Sequence, residues 1–213
     1  EKIAALEAAA AAKAAAIAKA DEAIAELPAV NDLTLADKEG VEAARALVEA
    51  AKTNHGVTNT EFADLGKLEA AEDWIEALEI AAARAAAIEK ADNAIAALHA
   101  VDELTLDDKP AVENARALVT AAKTDHGATD IEFDNLSKLT ELEARIVELE
   151  AEAAKAEAIA AAEAVIAALP EVNELTLDDK EGVEAARARV ESVKVEHGAT
   201  DGEFGNYAKL VAA

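Results

Sequence analysis

Cysteine and methionine are absent from this sequence, and only five of its 213 residues are aromatic: three Phe, one Tyr and one Trp. Without cysteine, a disulfide framework and a thiolate metal site are both excluded. Basic residues are scarce, 20 Lys and Arg against 45 Asp and Glu, for a formal charge of -25. Such a chain repels nucleic acid and anionic lipid, so no nucleic-acid partner is expected. Long apolar runs are missing too. Lysines such as Lys13 and Lys19 interrupt the alanine tract well before the ~20 apolar residues that span a bilayer. No charged-then-apolar leader opens the sequence, so its compartment cannot be read from that end.

What is present is alanine, 61 residues of it, with glutamate, lysine and leucine. This is the composition of long helices. The chain also repeats. Leu33–Lys38 (LTLADK) returns as LTLDDK at Leu104–Lys109 and Leu175–Lys180, and an HG(V/A)T string begins at His55, His126 and His197, always 71 residues apart. Three repeats are therefore assigned to residues 1–71, 72–142 and 143–213, each holding three helical stretches and two breaks.

Within the stretches, apolar residues step by threes and fours. Ile88, Ile95 and Leu98 mark the first, Val112, Ala115 and Val119 the second, Phe133, Leu136 and Leu139 the third. These are amphipathic-helix spacings, and no sustained alternation of period two competes with them. The fold class expected is all-α.

The breaks carry helix punctuation. Pro28 and Pro170 stop the first helix, with His99 at the matching place in the second repeat. The second helix is expected to open near Thr34, Thr105 or Thr176, each with Asp37, Asp108 or Asp179 three residues on. Pro110 would then be a fifth helical residue and cost a hydrogen bond, which predicts an irregular first turn. Gly56, Gly127 and Gly198 are the expected left-handed C-caps. Two residues later, Thr58 with Glu61, Thr129 with Glu132 and Thr200 with Glu203 form the capping-box pattern expected to open the third helix.

No stop follows that third helix. Apolar residues continue through Ala71, Ile75 and Leu78, and through Leu142, Ile146 and Leu149, in a coiled-coil-like seam. One helix is expected from Glu61 to Leu98, some 38 residues or ~57 Å, and another from Glu132 to Leu169. The expected architecture is tandem three-helix bundles sharing continuous helices, a spectrin-like rod of ~120–150 Å. The two ends placed in series read KLVAA-EKIAALEA, close to KLEAA-EDWIEALE at residues 67–79, so neighbouring repeats of a longer array are expected partners. Ile3 and Leu6 sit one position early against Ile75 and Leu78, which predicts a frayed first turn.

Few residues suggest chemistry. His55, His126 and His197 precede the closing glycines and suit a helix C-terminus; zinc would need further ligands at matching spacing. No Gly-rich phosphate loop or serine elbow occurs, and paired acids for glycoside hydrolysis would need an apolar cleft. Neither a catalytic residue, a cofactor site nor a metal site is assigned, and the chain is expected not to be an enzyme. Calcium is the alternative cofactor, drawn from Asn31, Asp32, Asp102, Glu103, Asp107, Asp108, Asn173, Glu174, Asp178 and Asp179 at one turn. Asp130, Asn135, Asp201 and Asn206 stand at the other; helix capping explains the same residues without an ion. Lys38, Glu42 and Arg45, repeated at 71, are read as intrahelical pairs. Trp74 is expected to pack partly at the joint between bundles, an exposed partner anchor being the alternative.

The string A-I-A-x-L-P-x-V-x-x-L-T-L-x-D-K-x-x-V-E-x-A-R, carried by Ile24–Arg45, Ile95–Arg116 and Ile166–Arg187, and the K-L-x-A-A-E junction at Lys67–Glu72 resemble a known pattern. It is that of the tandem helical repeats of Gram-positive bacterial surface proteins, S-layer-associated or wall-anchored. The HG(A/V)T-x-x-E-F loop departs from it. The resemblance implies an extracellular, cell-surface spacer or stalk segment. The alternative it implies is an adhesin module that holds a host protein or cell-wall polymer on a helix face.

Overall fold

The computed structural model describes residues 1–213 and is all-α. Seven helices follow one another: α1 Lys2–Glu26, α2 Lys38–His55, α3 Leu65–Ala96, α4 Lys109–His126, α5 Leu136–Ala167, α6 Lys180–His197 and α7 Tyr207–Ala212. Short 3-10 turns fill the breaks between them. The chain divides into two compact units, one of Glu1–Glu89 with Ala121–Thr129, the other of Lys90–Thr120 with Asp130–Ala213.

In the first unit, α1, α2 and the front of α3 enclose one apolar core. Ala20 and Ile24 come from α1, Val41, Ala44 and Val48 from α2, and Leu65, Leu68, Ala71 and Ile75 from α3. Small alanines at the tightest positions let the helices approach closely, while isoleucine and leucine fill the remaining space. In the second unit a similar cluster joins Ala162 and Ile166 of α5 to Ala186, Val190 and Val193 of α6 and to Phe204 and Leu210. The front of α5 buries Leu139, Leu142 and Ile146, and there it meets the turns at Val101–Glu103 and Leu106–Asp108. One uninterrupted helix therefore serves two packing sites about 30 Å apart along its axis, the rise from Leu142 to Ala162.

Boundaries differ from the sequence expectation at both ends of the long helices. Thr58 and Glu61 cap a 3-10 turn over Asn59–Glu61, and Phe62 then adopts extended backbone (φ -86°, ψ 139°) before α3 begins at Leu65. The reason is aromatic burial: Phe62, Phe133 and Phe204 all turn into the core, and a helix running straight through would point them elsewhere. Thus α3 and α5 have 32 residues each, ~48 Å rather than ~57 Å. Thr34, Thr105 and Thr176 likewise cap 3-10 turns, and the α-helices proper start at Lys38, Lys109 and Lys180. Pro110 becomes the second residue of α4, where no intrahelical donor is lost. The first turn of α1 is helical from Lys2, with the Ala5 amide donating to Glu1 O at 3.1 Å, rather than frayed.

Gly56, Gly127 and Gly198 close α2, α4 and α6 with φ of 62°, 68° and 65°. Replacing Gly56 with alanine should cost about 1 kcal/mol, because an L side chain pays for the left-handed conformation. Gly40 lies inside α2, where an added Cβ would meet Leu27 Cδ2 at an ordinary 3.6 Å. Gly40→Ala should therefore stabilise the protein by roughly 0.5 kcal/mol. Urea unfolding of the two variants should show these opposite signs.

Candidate functional site

The polar side chains of this protein work mostly at the places where one helix gives way to the next. At each first break the Thr amide donates to the Asp three residues on: Thr34 to Asp37 Oδ2 at 2.8 Å, Thr105 to Asp108 Oδ2 at 2.9 Å, Thr176 to Asp179 Oδ2 at 2.8 Å. The threonine hydroxyls donate to the same carboxylates at 2.8 Å. These hydrogen bonds, the backbone amide foremost, hold all three aspartates below their ordinary pKa. Two of the acids considered for calcium, Asp108 and Asp179, are thus engaged in capping, and no group of three or more acidic or histidine side chains converges to hold a metal ion.

The second break is tied more tightly. Thr58 N–H donates to Glu61 Oε2 at 2.9 Å, and Thr200 N–H to Glu203 Oε2 at 2.8 Å. A lysine from the first helix joins each box: Lys13 Nζ lies 2.8 Å from Glu61 Oε1 and Lys155 Nζ 2.8 Å from Glu203 Oε1. The same lysines donate to the carbonyls of Gly56 and Gly198 at 3.4 Å. One cation therefore binds the end of one helix and the start of the next turn. In the second repeat Thr129 precedes and Glu132 ends the turn Asp130–Glu132, after the closing Gly127.

These lysines, with the threonine donors second, press Glu61 and Glu203 down to about 2. Both pKa values fall on folding, so each carboxylate contributes stability above its ordinary value of 4.5, and loses it as pH drops toward 2. The melting temperature should be flat from pH 7 to about 5 and decline through the window between about 4.5 and 2. A Glu61→Gln variant should lose part of that decline while keeping a capping side chain. Thermal unfolding by circular dichroism across the series checks it; equal slopes would contradict it.

The expected intrahelical pairs form for the lysines, Lys38–Glu42, Lys109–Glu113 and Lys180–Glu184, but in the first two repeats the cations of the second helix also pair, more closely, between helices. Arg45 of α2 forms a two-pronged pair with Glu72 of α3, Nε to Oε1 at 2.5 Å and Nη2 to Oε2. Arg116 of α4 does the same with Glu143 of α5. Lys38 pairs with Glu79, and Lys109 with Glu150. The local partner is marginal by comparison: Lys38 Nζ stands 3.8 Å from Glu42, itself largely in solvent. A fork of two parallel donors fixes geometry as well as charge, so these pairs set how far α2 may slide along α3.

Two further latches recur at the 71-residue period, though local patterns did not reveal them. Lys67, Lys138 and Lys209 donate to the last carbonyls of the preceding long helix, at Leu27 O (2.7 Å), Leu98 O (2.8 Å) and Leu169 O (2.7 Å). Asp21 accepts from Ala63 N–H at 3.0 Å, Asp92 from the amides of Asp134 and Asn135 at 3.1 Å, and Glu163 from Gly205 N–H. Each helix end thus receives a cation, and each chain entry an anion, as the exposed carbonyls and amides require.

His55, His126 and His197 are the last residues of α2, α4 and α6. His99 sits in a turn, largely exposed, with Nδ1 2.9 Å from Asp108 Oδ1. Trp74 is partly exposed on α3, and its Nε1 donates to Leu33 O at 3.2 Å. Ile75 and Ile146 are buried, Leu78 and Leu149 half-buried.

Two of the depressions on the surface follow these latches. One of about 450 Å³ is lined by Lys38, Val41, Arg45, Glu72, Ile75 and Glu79, and one of about 420 Å³ by the matching residues of α4 and α5. Lys38, Arg45, Glu72 and Glu79, and their counterparts Lys109, Arg116, Glu143 and Glu150, are already paired with one another. No helix is long and apolar enough to cross a membrane. Compared with protein families, curated proteins and solved structures, the chain matches none.

Proposed function

We propose that this chain is a non-enzymatic structural spacer, a stiff acidic helical rod that holds other domains of a bacterial cell-surface protein apart. The observation that carries this reading is the single helix α5, which packs at both ends against different elements. Bending such a link means breaking consecutive hydrogen bonds of a continuous helix, whereas a loop would bend freely. A charge of -25 keeps neighbouring copies soluble and laterally separate. The acids whose titration shifts move downward, toward permanent ionisation, which is the reverse of what a general acid needs. An extracellular location rests on the sequence resemblance alone.

Small-angle scattering on the chain tests the spacer. A compact domain of 213 residues has a radius of gyration of ~17 Å. The spacer reading expects a value well above that, and a value near it would refute the reading. Saturable binding of a serum protein or purified wall polymer to one copy would favour the adhesin alternative.

A further inference from the structure

Mid-chain, α4 and the front of α5 present matching stripes of side chains across the groove of about 420 Å³. Lys109, Val112, Glu113 and Arg116 come from α4; Glu143, Ile146, Val147 and Glu150 come from α5. Each set follows the three-four-seven spacing of a single helix face. Ion pairs close the two ends of the groove, Lys109 with Glu150 and Arg116 with Glu143. Between them Val112 and Ile146, both buried, form an apolar floor. The rims are not alike. On the α4 side stands Glu113, its side chain 66% exposed; Lys109, 3.8 Å away, is shared with Glu150. On the α5 side stands Val147, 64% exposed.

The first repeat holds the same groove with a different rim. Lys38 pairs there with Glu79 and Arg45 with Glu72, but Glu76 stands where α5 has Val147. Two carboxylates, Glu42 and Glu76, border the first groove, whereas one carboxylate and one valine border the second. We infer that the α4–α5 groove is a docking site for a cationic amphipathic helix of another protein. Lys109 to Arg116 spans seven residues, ~10 Å along α4, which accommodates two turns of a helix laid alongside. One apolar side chain of the guest covers Val147 and the floor beside it. A lysine or arginine one turn further on meets Glu113.

Charge selects this guest over others. The lining carries two cations against three carboxylates, within a chain of net charge -25, so the field draws in a basic helix and turns away an acidic one. A second copy of this chain is repelled on the same ground. A polyamine has the charge but nothing to cover Val147. The contact is small, so its dissociation constant should be on the order of 0.1–1 mM, in the range of weak transient contacts. A stiff spacer can carry such a site as readily as an adhesin, so this inference and the spacer reading stand or fall by separate experiments.

An NMR titration of the full chain near 0.15 M salt, where charges act over about 8 Å, tests it. The probe is a synthetic peptide of about 18 residues with leucine on one helix face and lysine on the other. Its control has the same composition in an order that scatters the leucines around the helix. The probe, and not the control, should shift the amides of residues 109–116 and 143–150 saturably. Val147→Glu should weaken binding about tenfold, as loss of one covered aliphatic side chain would. That variant also adds a negative charge, so attraction by charge alone would strengthen binding instead. Glu113→Gln should weaken binding about two- to fivefold. Both side chains are exposed, so these variants keep their helix content, which circular dichroism verifies. Conversely, Glu76→Val should bring the same response to residues 38–45 and 72–79 of the first repeat. The inference is overturned by an absence of saturable shifts, by shifts spread over the whole acidic surface, or by an equal response to the control peptide. Binding that Val147→Glu leaves unchanged or strengthens would overturn it as well.

Discussion

Glu76→Pro should destabilise the protein by about 3 kcal/mol or more, while Glu76→Ala should change it by less than about 0.5 kcal/mol. Glu76 is exposed and stands twelve residues into α3. Its side chain contributes little packing, so the alanine variant isolates the side chain from the backbone. Proline removes the amide that donates to the carbonyl four residues earlier and drives its ring into the same carbonyl. That residue is Glu72, whose carboxylate grips Arg45, so the kink also pulls apart a two-pronged pair between helices. Urea unfolding of the two variants gives the difference directly. If the chain turned near residue 76, proline would be tolerated within about 1 kcal/mol, since turns accept it readily.

Leu68→Ala should cost about 3–4 kcal/mol, the upper part of the usual range for a wholly enclosed leucine. Leu68 is fully buried where α1, α2 and α3 meet, among Ile24, Val48 and Ala71. Its neighbours are alanines and branched residues on rigid helices, which cannot collapse into the space left behind. Leu78, ten residues along the same helix and half-buried against the same core, should cost only about 1–2 kcal/mol when truncated. Differential denaturation of the pair checks this gradient. Equal costs would mean that the core does not taper along α3.

The all-α class and the order of elements were legible because the apolar steps of three and four are direct images of helical packing. The glycine C-caps were legible for a similarly local reason, since a left-handed residue after a helix admits little else. The capping boxes were recognised by residue type but assigned to the wrong kind of turn. Thr58 and Glu61 satisfy open amides equally well whether the turn continues as an α-helix or stops after three residues. What stops it is Phe62, whose burial is a tertiary matter. The interhelical partners of Arg45 and Lys38 were not legible because a window of four residues sees Glu42 but not Glu72 and Glu79, which lie 27 and 41 positions away. The signal existed at longer range: Glu72 and Glu79 recur as Glu143 and Glu150 in the same 71-residue register as the cations. Lys67, Asp21 and Lys13 could have been found the same way, as charges kept at one register position although local helix patterning does not require them there.

Helix continuity through the junction is the claim on which the rest depends, and the absence of cysteine makes it directly measurable. Spin labels at Glu69→Cys and Glu89→Cys would sit on one helix, twenty residues apart at exposed positions. Double electron–electron resonance should return a single narrow distribution consistent with ~30 Å between the two backbone sites, at ~1.5 Å per residue. A distribution centred well below that, or a broad one, would mean that the chain bends between the labels, and the account would be wrong.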